Sequence, residues 1–104
     1  MTPEGRLTAK LAARMKTLKI WFVKLHGGPW QRAGLPDFLL VIQGRALFME
    51  VKSEKGELSP LQESTIRQLE KAGSQCCVVR SVQEFDEWIA DFLDPKSRIT
   101  VSAD

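Results

Sequence analysis

The fold is decided by Gly34-Leu35-Pro36-Asp37-Phe38-Leu39-Leu40-Val41-Ile42-Gln43-Gly44-Arg45-Ala46-Leu47-Phe48-Met49-Glu50-Val51-Lys52. Two apolar runs flank Gln43-Gly44, and glycine accepts the positive φ of a tight hairpin turn at no steric cost. If the loop has two residues, the pairing of the strands is set from the turn outward. Asp37 is then predicted to lie opposite Glu50, with Lys52 on the same face two residues later. A loop of odd length would shift this register.

The predicted pair of carboxylates is unfavourable unless something lies between them. Side chains directly opposite each other have Cβ atoms about 4.5–5.5 Å apart, and like charges there destabilise a sheet. A divalent cation removes the conflict, because Mg²⁺ is commonly held by one or two carboxylates, water and phosphate oxygens. Lys52 would then orient a water or offset charge on a phosphate. The alternative is that Lys52 only neutralises Glu50 and that Asp37 only starts a strand after Pro36.

A helix is predicted at the start of the chain. Thr2 suits its N-cap, and Pro3 suits its first position. An apolar stripe recurs at helical spacing through Leu7, Leu11, Met15 and Leu18. Glu4 shares the inward face of this helix, and a buried acid needs a partner. That partner is either the metal site or the dipole of the helix itself.

Positive charge is concentrated in the first third of the chain. Residues 1–36 contain seven Lys and Arg residues against Glu4 alone, although the net charge of the whole chain is only +2. A basic segment beside a carboxylate site suits a polyanion such as DNA. The alternative is a solvated helix face. The side chains expected to contact the DNA backbone are Arg6, Lys10, Arg14, Lys24 and Arg32.

A loop is predicted over residues 26–34 from its glycine and proline content. Trp30 lies in it beside Arg32, where its ring would stack on a base or wedge at a DNA branch. The alternative is that Trp30 packs back onto the domain. His26 is the only histidine, so it is expected to be a loop residue or a phosphate contact.

Strands are predicted over residues 20–25 and 75–80, and two further helices begin at Ser59 and Ser81. Glu84 would complete a capping box on Ser81. Gln62 can close a capping box on Ser59. The second helix is expected to bury Leu61, Ile66, Leu69 and Ala72, with Gly73 at its end, and the third Phe85, Trp88, Ile89 and Phe92.

The hairpin is apolar on both faces, so the sheet is expected to be covered on both sides. At 104 residues the chain suits one domain, predicted over residues 1–94 with a polar tail over residues 95–104. No apolar run approaches the roughly 18 residues of a membrane span, and the charged start does not suggest a signal peptide. Cys76 and Cys77 are adjacent, which suits neither a zinc site nor a loop-closing disulfide. We expect reduced core cysteines in a cytoplasmic protein.

Pro36-Asp37 followed by Glu50-Val51-Lys52 resembles the Pro-Asp…(Asp/Glu)-x-Lys signature of the PD-(D/E)XK nucleases. The longer pattern, with Glu4, Gly34, Leu58-Ser59 and Gln62, resembles the stand-alone VRR-NUC domains (virus-type replication-repair nucleases) over about residues 2–92. The resemblance implies an α/β fold with a restriction-endonuclease-like core. The element order α-β-β-β-α-β-α and a mixed sheet flanked by helices are expected.

The same resemblance implies a metal-dependent DNA endonuclease. Asp37, Glu50 and the backbone carbonyl of Val51 would hold Mg²⁺ or Mn²⁺, and Glu4 would bind a second metal or a water on it. Lys52 and Gln62 would act in catalysis. Similar stand-alone domains are homodimers that cut branched DNA such as four-way (Holliday) junctions, in bacterial or phage-infected cells. The alternatives are a non-catalytic DNA-binding module and a sequence-specific restriction-type nuclease.

Overall fold

The structure is a computed structural model, and it describes residues 1–25 and 32–93. His26, Trp30 and the predicted tail over residues 95–104 lie outside these ranges. Within the ranges the element order is α-β-β-β-α-β-α, as predicted. The elements are α1 (Pro3–Thr17), β1 (Trp21–Lys24), β2 (Phe38–Ile42), β3 (Arg45–Val51), α2 (Pro60–Lys71), β4 (Gln75–Val79) and α3 (Val82–Leu93).

The strands form one mixed sheet in the order β1-β2-β3-β4. Strands β1 to β3 are antiparallel neighbours, whereas β3 and β4 run parallel. The β2–β3 hairpin has the predicted register, since Ile42 pairs with Arg45 next to the turn. Gln43 (φ 51°) and Gly44 (φ 79°) both have positive φ, as a two-residue type I′ turn requires.

The main core lies between one face of the sheet and the helices α1 and α3. Because side chains alternate along a strand, every second residue of the hairpin points into it. Its buried side chains are Leu11, Met15, Phe38, Leu40, Ile42, Leu47, Met49, Val51, Val79, Phe85, Ile89 and Phe92. Thr2 caps α1 as predicted, with its hydroxyl accepting from the Gly5 amide at 3.0 Å. Leu18 is exposed, contrary to expectation, because α1 ends at Thr17 and leaves it as the C-cap.

Helices lie on both faces of the sheet, as predicted, but the face opposite α1 and α3 is only partly covered. Helix α2 packs against β4, because it connects the parallel strands β3 and β4 and lies over the pair it joins. The other half of this face exposes Trp21, Val23 and Val41, and Trp21 is 60% exposed. The register places Trp21 directly beside Val41.

Helix α2 turns only part of the predicted set inward, since Ile66 and Leu69 are half-buried. Its buried residue is Thr65, whereas Leu61 is 52% exposed and Ala72 is the exposed C-cap. Gly73 follows with φ 97°, the left-handed position that commonly ends a helix. Leu61 instead lies against Gly34, in the turn before β2.

Cys76 and Cys77 are free and half-buried in β4. Burial raises the pKa of each thiol to about 11. Both sulfurs therefore stay protonated at neutral pH, which makes them poor nucleophiles. In the described part of the chain, none of the helices has the length and apolar composition needed to cross a bilayer.

Candidate active site

Asp37 and Glu50 lie side by side at one end of the β2–β3 hairpin, as the register predicted. The Asp37 amide donates to Glu50 Oε1 at 3.2 Å. In return, the Val51 amide donates to Asp37 Oδ2 at 2.8 Å. Each carboxylate is therefore oriented by the backbone of the other strand.

The backbone of this site is also anchored by the two outer strands. The Asp37 carbonyl accepts from the Leu25 amide at 2.8 Å, which extends the contact with β1. On the other side, the Lys52 amide donates to the Val79 carbonyl at 3.1 Å. The site residues are therefore held by regular sheet pairing rather than by a free loop.

Glu50 is a buried acid in contact with both an acid and a base. Glu50 is only 2% exposed, and Lys52 Nζ lies 3.7 Å from Glu50 Oε2. The pKa of Glu50 is raised from its ordinary 4.5 to about 8, chiefly by burial and also by Asp37, against the opposing effect of the Lys52 ammonium. Without a cation, the site therefore favours a protonated Glu50 at neutral pH.

The donor atoms of this pair fit a hard divalent cation. Carboxylate and carbonyl oxygens are the ligands that Mg²⁺ and Mn²⁺ prefer, and a cation would relieve the like-charge conflict that raises the pKa of Glu50. Over residues 1–25 and 32–93, no three His, Cys, Asp or Glu side chains group closely enough to hold a metal. Glu4 is therefore not grouped with Asp37 and Glu50, and it lies in the first turn of α1, where the helix dipole stabilises an acid.

The comparison with known families agrees with this geometry. The sequence model of the VRR-NUC domain matches residues 14–83, more than half of the chain. The chain belongs to the VRR-NUC family. The matched range contains Asp37, Glu50, Lys52 and Gln62, whereas Glu4 lies before it.

Two solved structures resemble this VRR-NUC domain over most of its length. One, described as a VRR-NUC domain, is 30% identical with a TM-score of 0.75, and the match covers 86% of this chain and 97% of that one. The second, described as a VRR-NUC domain protein, has the same TM-score at 17% identity, covers 89% of both chains, and supports the fold alone. A search of curated proteins gave no match.

In this VRR-NUC domain, Gln62 closes the capping box of α2. Its Oε1 accepts from the Ser59 amide at 2.9 Å, and its own amide donates to Ser59 Oγ at 3.1 Å. The family resemblance favours the metal site for Gln62, but in the structure its carbonyl oxygen accepts a hydrogen bond in the cap. That atom is therefore not available to a water or phosphate at the site.

Arg14 is not one of the free DNA-binding cations that the sequence predicted. Its Nε and Nη2 donate to the two carboxylate oxygens of Asp86 on α3, at 2.9 and 3.3 Å. Each step of four residues rotates about 40° beyond a full turn of the helix. Arg14 therefore points about 80° away from Arg6 around the helix axis. Arg14 therefore faces α3, whereas Arg6 and Lys10 line a cavity at the other end of α1.

The remaining predicted DNA contacts are engaged within the domain. Lys24 Nζ lies 5.6 Å from the centre of the Phe38 ring, in a cation–π contact. Arg32 Nη2 donates to Gln68 Oε1 at 2.8 Å and stays exposed. Neither side chain forms an ion pair with an acid in the described ranges. The positive charges of both are therefore not offset by a carboxylate, as the predicted contact with the DNA backbone requires.

Sequence reasoning missed the contribution of Arg80. Its Nη1 donates to the Ser53 carbonyl at 2.8 Å and also to the Gly56 carbonyl. These bonds pin the turn that directly follows Lys52. No local motif predicts them, because Ser53 lies 27 residues before Arg80 and the two meet only through the parallel pairing of β3 and β4.

Proposed function

We propose that this VRR-NUC domain is a divalent-metal-dependent endodeoxyribonuclease. Membership of the family makes the chain a nuclease domain, and the proposal adds the metal, the substrate and the residues. The observation that supports it is the buried contact of Glu50 with Asp37 and Lys52. Ionisation of both acids at this site needs more positive charge than Lys52 alone supplies, and a divalent cation is the compensation that also serves hydrolysis.

Asp37 and Glu50, with the Val51 carbonyl, are the proposed ligands of Mg²⁺ or Mn²⁺. The cation would lower the pKa of a bound water and neutralise charge on the phosphate. Lys52 is the only other charged side chain in contact with Glu50, within the described residues. Its ammonium would donate a hydrogen bond to the attacking water or to the phosphate oxygen on which negative charge develops.

The test is a cleavage assay of wild type, Lys52→Ala and Lys55→Ala with Mg²⁺, Mn²⁺ or EDTA. Lys55 is the matched control, because it is an exposed lysine in the turn after Lys52. We expect cutting by wild type and Lys55→Ala with either metal, none with EDTA, and a loss of at least about 100-fold in Lys52→Ala. Intact DNA binding without cutting by wild type would instead favour a non-catalytic binding module.

We further propose that the substrate is branched DNA and that two copies of the chain act together. Two active sites related by a two-fold axis suit a four-way junction, whose own symmetry is close to two-fold. A domain of this size also leaves little surface for reading a long base sequence. A labelled junction, a splayed flap and linear duplex distinguish the cases, with sedimentation measured with and without DNA. Paired cuts in the junction by a dimer support the proposal, whereas cuts at fixed sequences in duplex indicate a restriction-type nuclease.

A further inference from the structure

A cavity of about 400 Å³ lies at the same end of the sheet as the candidate active site, on the face covered by α1 and α3. Its walls come from the first half of α1, the turn after β3 and the start of α3. Arg6 and Lys10 line it from α1, and Ser53 and Arg80 from the two parallel strand ends. Because side chains alternate along a strand, Glu50 and Lys52 point to the opposite face, so the cavity and the site lie on opposite sides of the end of β3.

The cavity carries uncompensated positive charge. The ion pairs among residues 1–25 and 32–93 are Arg14–Asp86, Lys52–Glu50 and Arg67–Glu63, so none of them uses the cations of the cavity. Arg6 donates to the Met1 carbonyl at 2.9 Å instead, and Arg80 also bonds to carbonyls. A carbonyl satisfies a donor but does not neutralise a guanidinium.

Two acids reduce this charge without cancelling it. Glu54 is the acidic side chain that lines the cavity, against the cations Arg6, Lys10 and Arg80. Glu84 lies in the first turn of α3, and its Oε1 accepts from the Arg80 amide at 2.8 Å. The net charge of the lining is therefore positive.

The start of α3 borders the same cavity. Ser81 caps the helix, with its Oγ accepting from the Glu84 amide at 3.0 Å, and both Ser81 and Val82 line the cavity. The first amides of a helix have no partner within the helix, and they favour an anion. Together with the two cations from α1, the start of α3 favours an anionic ligand such as a phosphate group over a neutral or apolar one.

We propose that this cavity binds a phosphate group of the substrate strand other than the one that is cut. The inference rests on the proposed nuclease function, because the ligand belongs to the same nucleic acid. Arg6 and Lys10 supply the charge, and the turn pinned by Arg80 sets the distance from this phosphate to Lys52. The phosphate is either an internal diester or the terminal phosphate of a strand, which share the same chemistry.

The experiment replaces one phosphate at a time in the DNA by a neutral methylphosphonate and measures binding in EDTA, where no cutting occurs. A further strand lacks its terminal phosphate. For wild type, we expect one replacement away from the cut position to weaken binding about tenfold, as for a lost charge-assisted hydrogen bond. The position of that replacement distinguishes an internal phosphate from a terminal one.

The double variant Arg6→Gln/Lys10→Gln provides the decisive comparison. It should bind unmodified DNA about tenfold more weakly and lose no more than about twofold further from the same replacement, since the contact is already gone. Lys16→Gln is the control, because Lys16 is an exposed lysine of α1 that does not line the cavity. It should retain the full sensitivity of wild type.

The proposal is overturned if the losses from the replacement and from the double variant simply add. It is also overturned if Lys16→Gln behaves like the double variant, because the effect would then be general attraction to a basic helix. Cutting in Mg²⁺ is assayed separately with wild type. If wild type does not cut DNA but its binding still depends on one phosphate, the nuclease proposal fails and the phosphate site stands. If binding depends on no single phosphate, the phosphate site fails whatever the result of the cutting assay.

Discussion

Asp37 and Glu50 are joined by two hydrogen bonds that cross the hairpin in opposite directions. The Asp37 amide donates to Glu50 Oε1 at 3.2 Å, and the amide after Glu50 donates to Asp37 Oδ2 at 2.8 Å. This exchange fixes both carboxylates without any metal. The backbone itself therefore holds the two acids in place, and the proton that Glu50 keeps at neutral pH relieves the repulsion between them.

The stability of the metal-free protein should fall as pH rises. The pKa of Glu50 is raised from 4.5 to about 8 in the folded chain, chiefly by burial. The folded state therefore binds this proton more tightly than the unfolded state does. The contribution of the proton to stability is complete below about pH 4.5 and is lost as pH rises through 8. Urea unfolding in EDTA between pH 5 and 9 measures this loss.

Glu50→Gln is the control for that series, because glutamine has a similar shape and does not titrate. The unfolding free energy of wild type should fall relative to that of Glu50→Gln as pH rises from 5 to about 8. Above pH 8 the difference should level off. A difference that stays constant over this range would show that Glu50 does not titrate as its burial implies.

Metal binding should release a proton near neutral pH. A cation needs the ionised form of Glu50, whereas the metal-free site favours the protonated form below about pH 8. The affinity for Mg²⁺ or Mn²⁺ should therefore rise up to about pH 8 and then level off. Calorimetry at pH 7 in two buffers of different ionisation enthalpy counts the protons released. Asp37→Asn should bind the metal at least about tenfold more weakly, and equal binding by this variant would place the metal elsewhere.

Gln62→Ala should act on stability rather than on the chemical step. Gln62 and Ser59 form the two halves of one capping box, so Gln62→Ala and Ser59→Ala should each cost about 0.5–2 kcal/mol. Cleavage rates of the two variants, measured where both are fully folded, should agree within about threefold. A much slower Gln62→Ala would show that the side chain leaves the cap to serve the active site.

Gly34→Ala should destabilise the fold more than Gly44→Ala does. Both glycines have positive φ, at 84° and 79°, so each substitution costs about 1–2 kcal/mol for the left-handed backbone. A Cβ at Gly34 would also lie 2.7 Å from Leu61 Cγ and 3.0 Å from Thr65 Oγ1, whereas at Gly44 it would meet nothing within 4 Å. Thermal unfolding measures the difference.

Leu61→Ala tests the cause of that difference, because it removes the atom that the new methyl group would meet first. Added to Gly34→Ala, it should recover part of the extra loss of stability. Equal destabilisation by Gly34→Ala and Gly44→Ala would mean that the loop before Asp37 moves away from α2 without cost.

The hairpin and its acidic end were predictable because every contact that defines them is local. The turn at Gln43-Gly44 needs only positive φ, and two short apolar runs beside it have one register that keeps their core faces together. That register brings Asp37 to Glu50 and places Lys52 on the same face. The order of elements followed in the same way, from caps and periodicity within each segment.

The remaining features depend on how distant segments meet. Arg14 is neutralised by Asp86, 72 residues later, and Arg80 pins a turn that lies 27 residues before it. Glu4 remains apart from the acid pair because α1 directs its first turn elsewhere. Such contacts follow from the placement of helices on the sheet, which periodicity alone does not specify.

The sequence by itself determined which side chains meet at the site: two acids and a lysine at one end of a hairpin. A two-residue turn fixes the register of the strands on either side of it. Only the tertiary structure decided which cations remain free for a substrate and how much of the sheet is covered. Those outcomes depend on packing between elements, where the position of a whole helix determines the surroundings of each side chain.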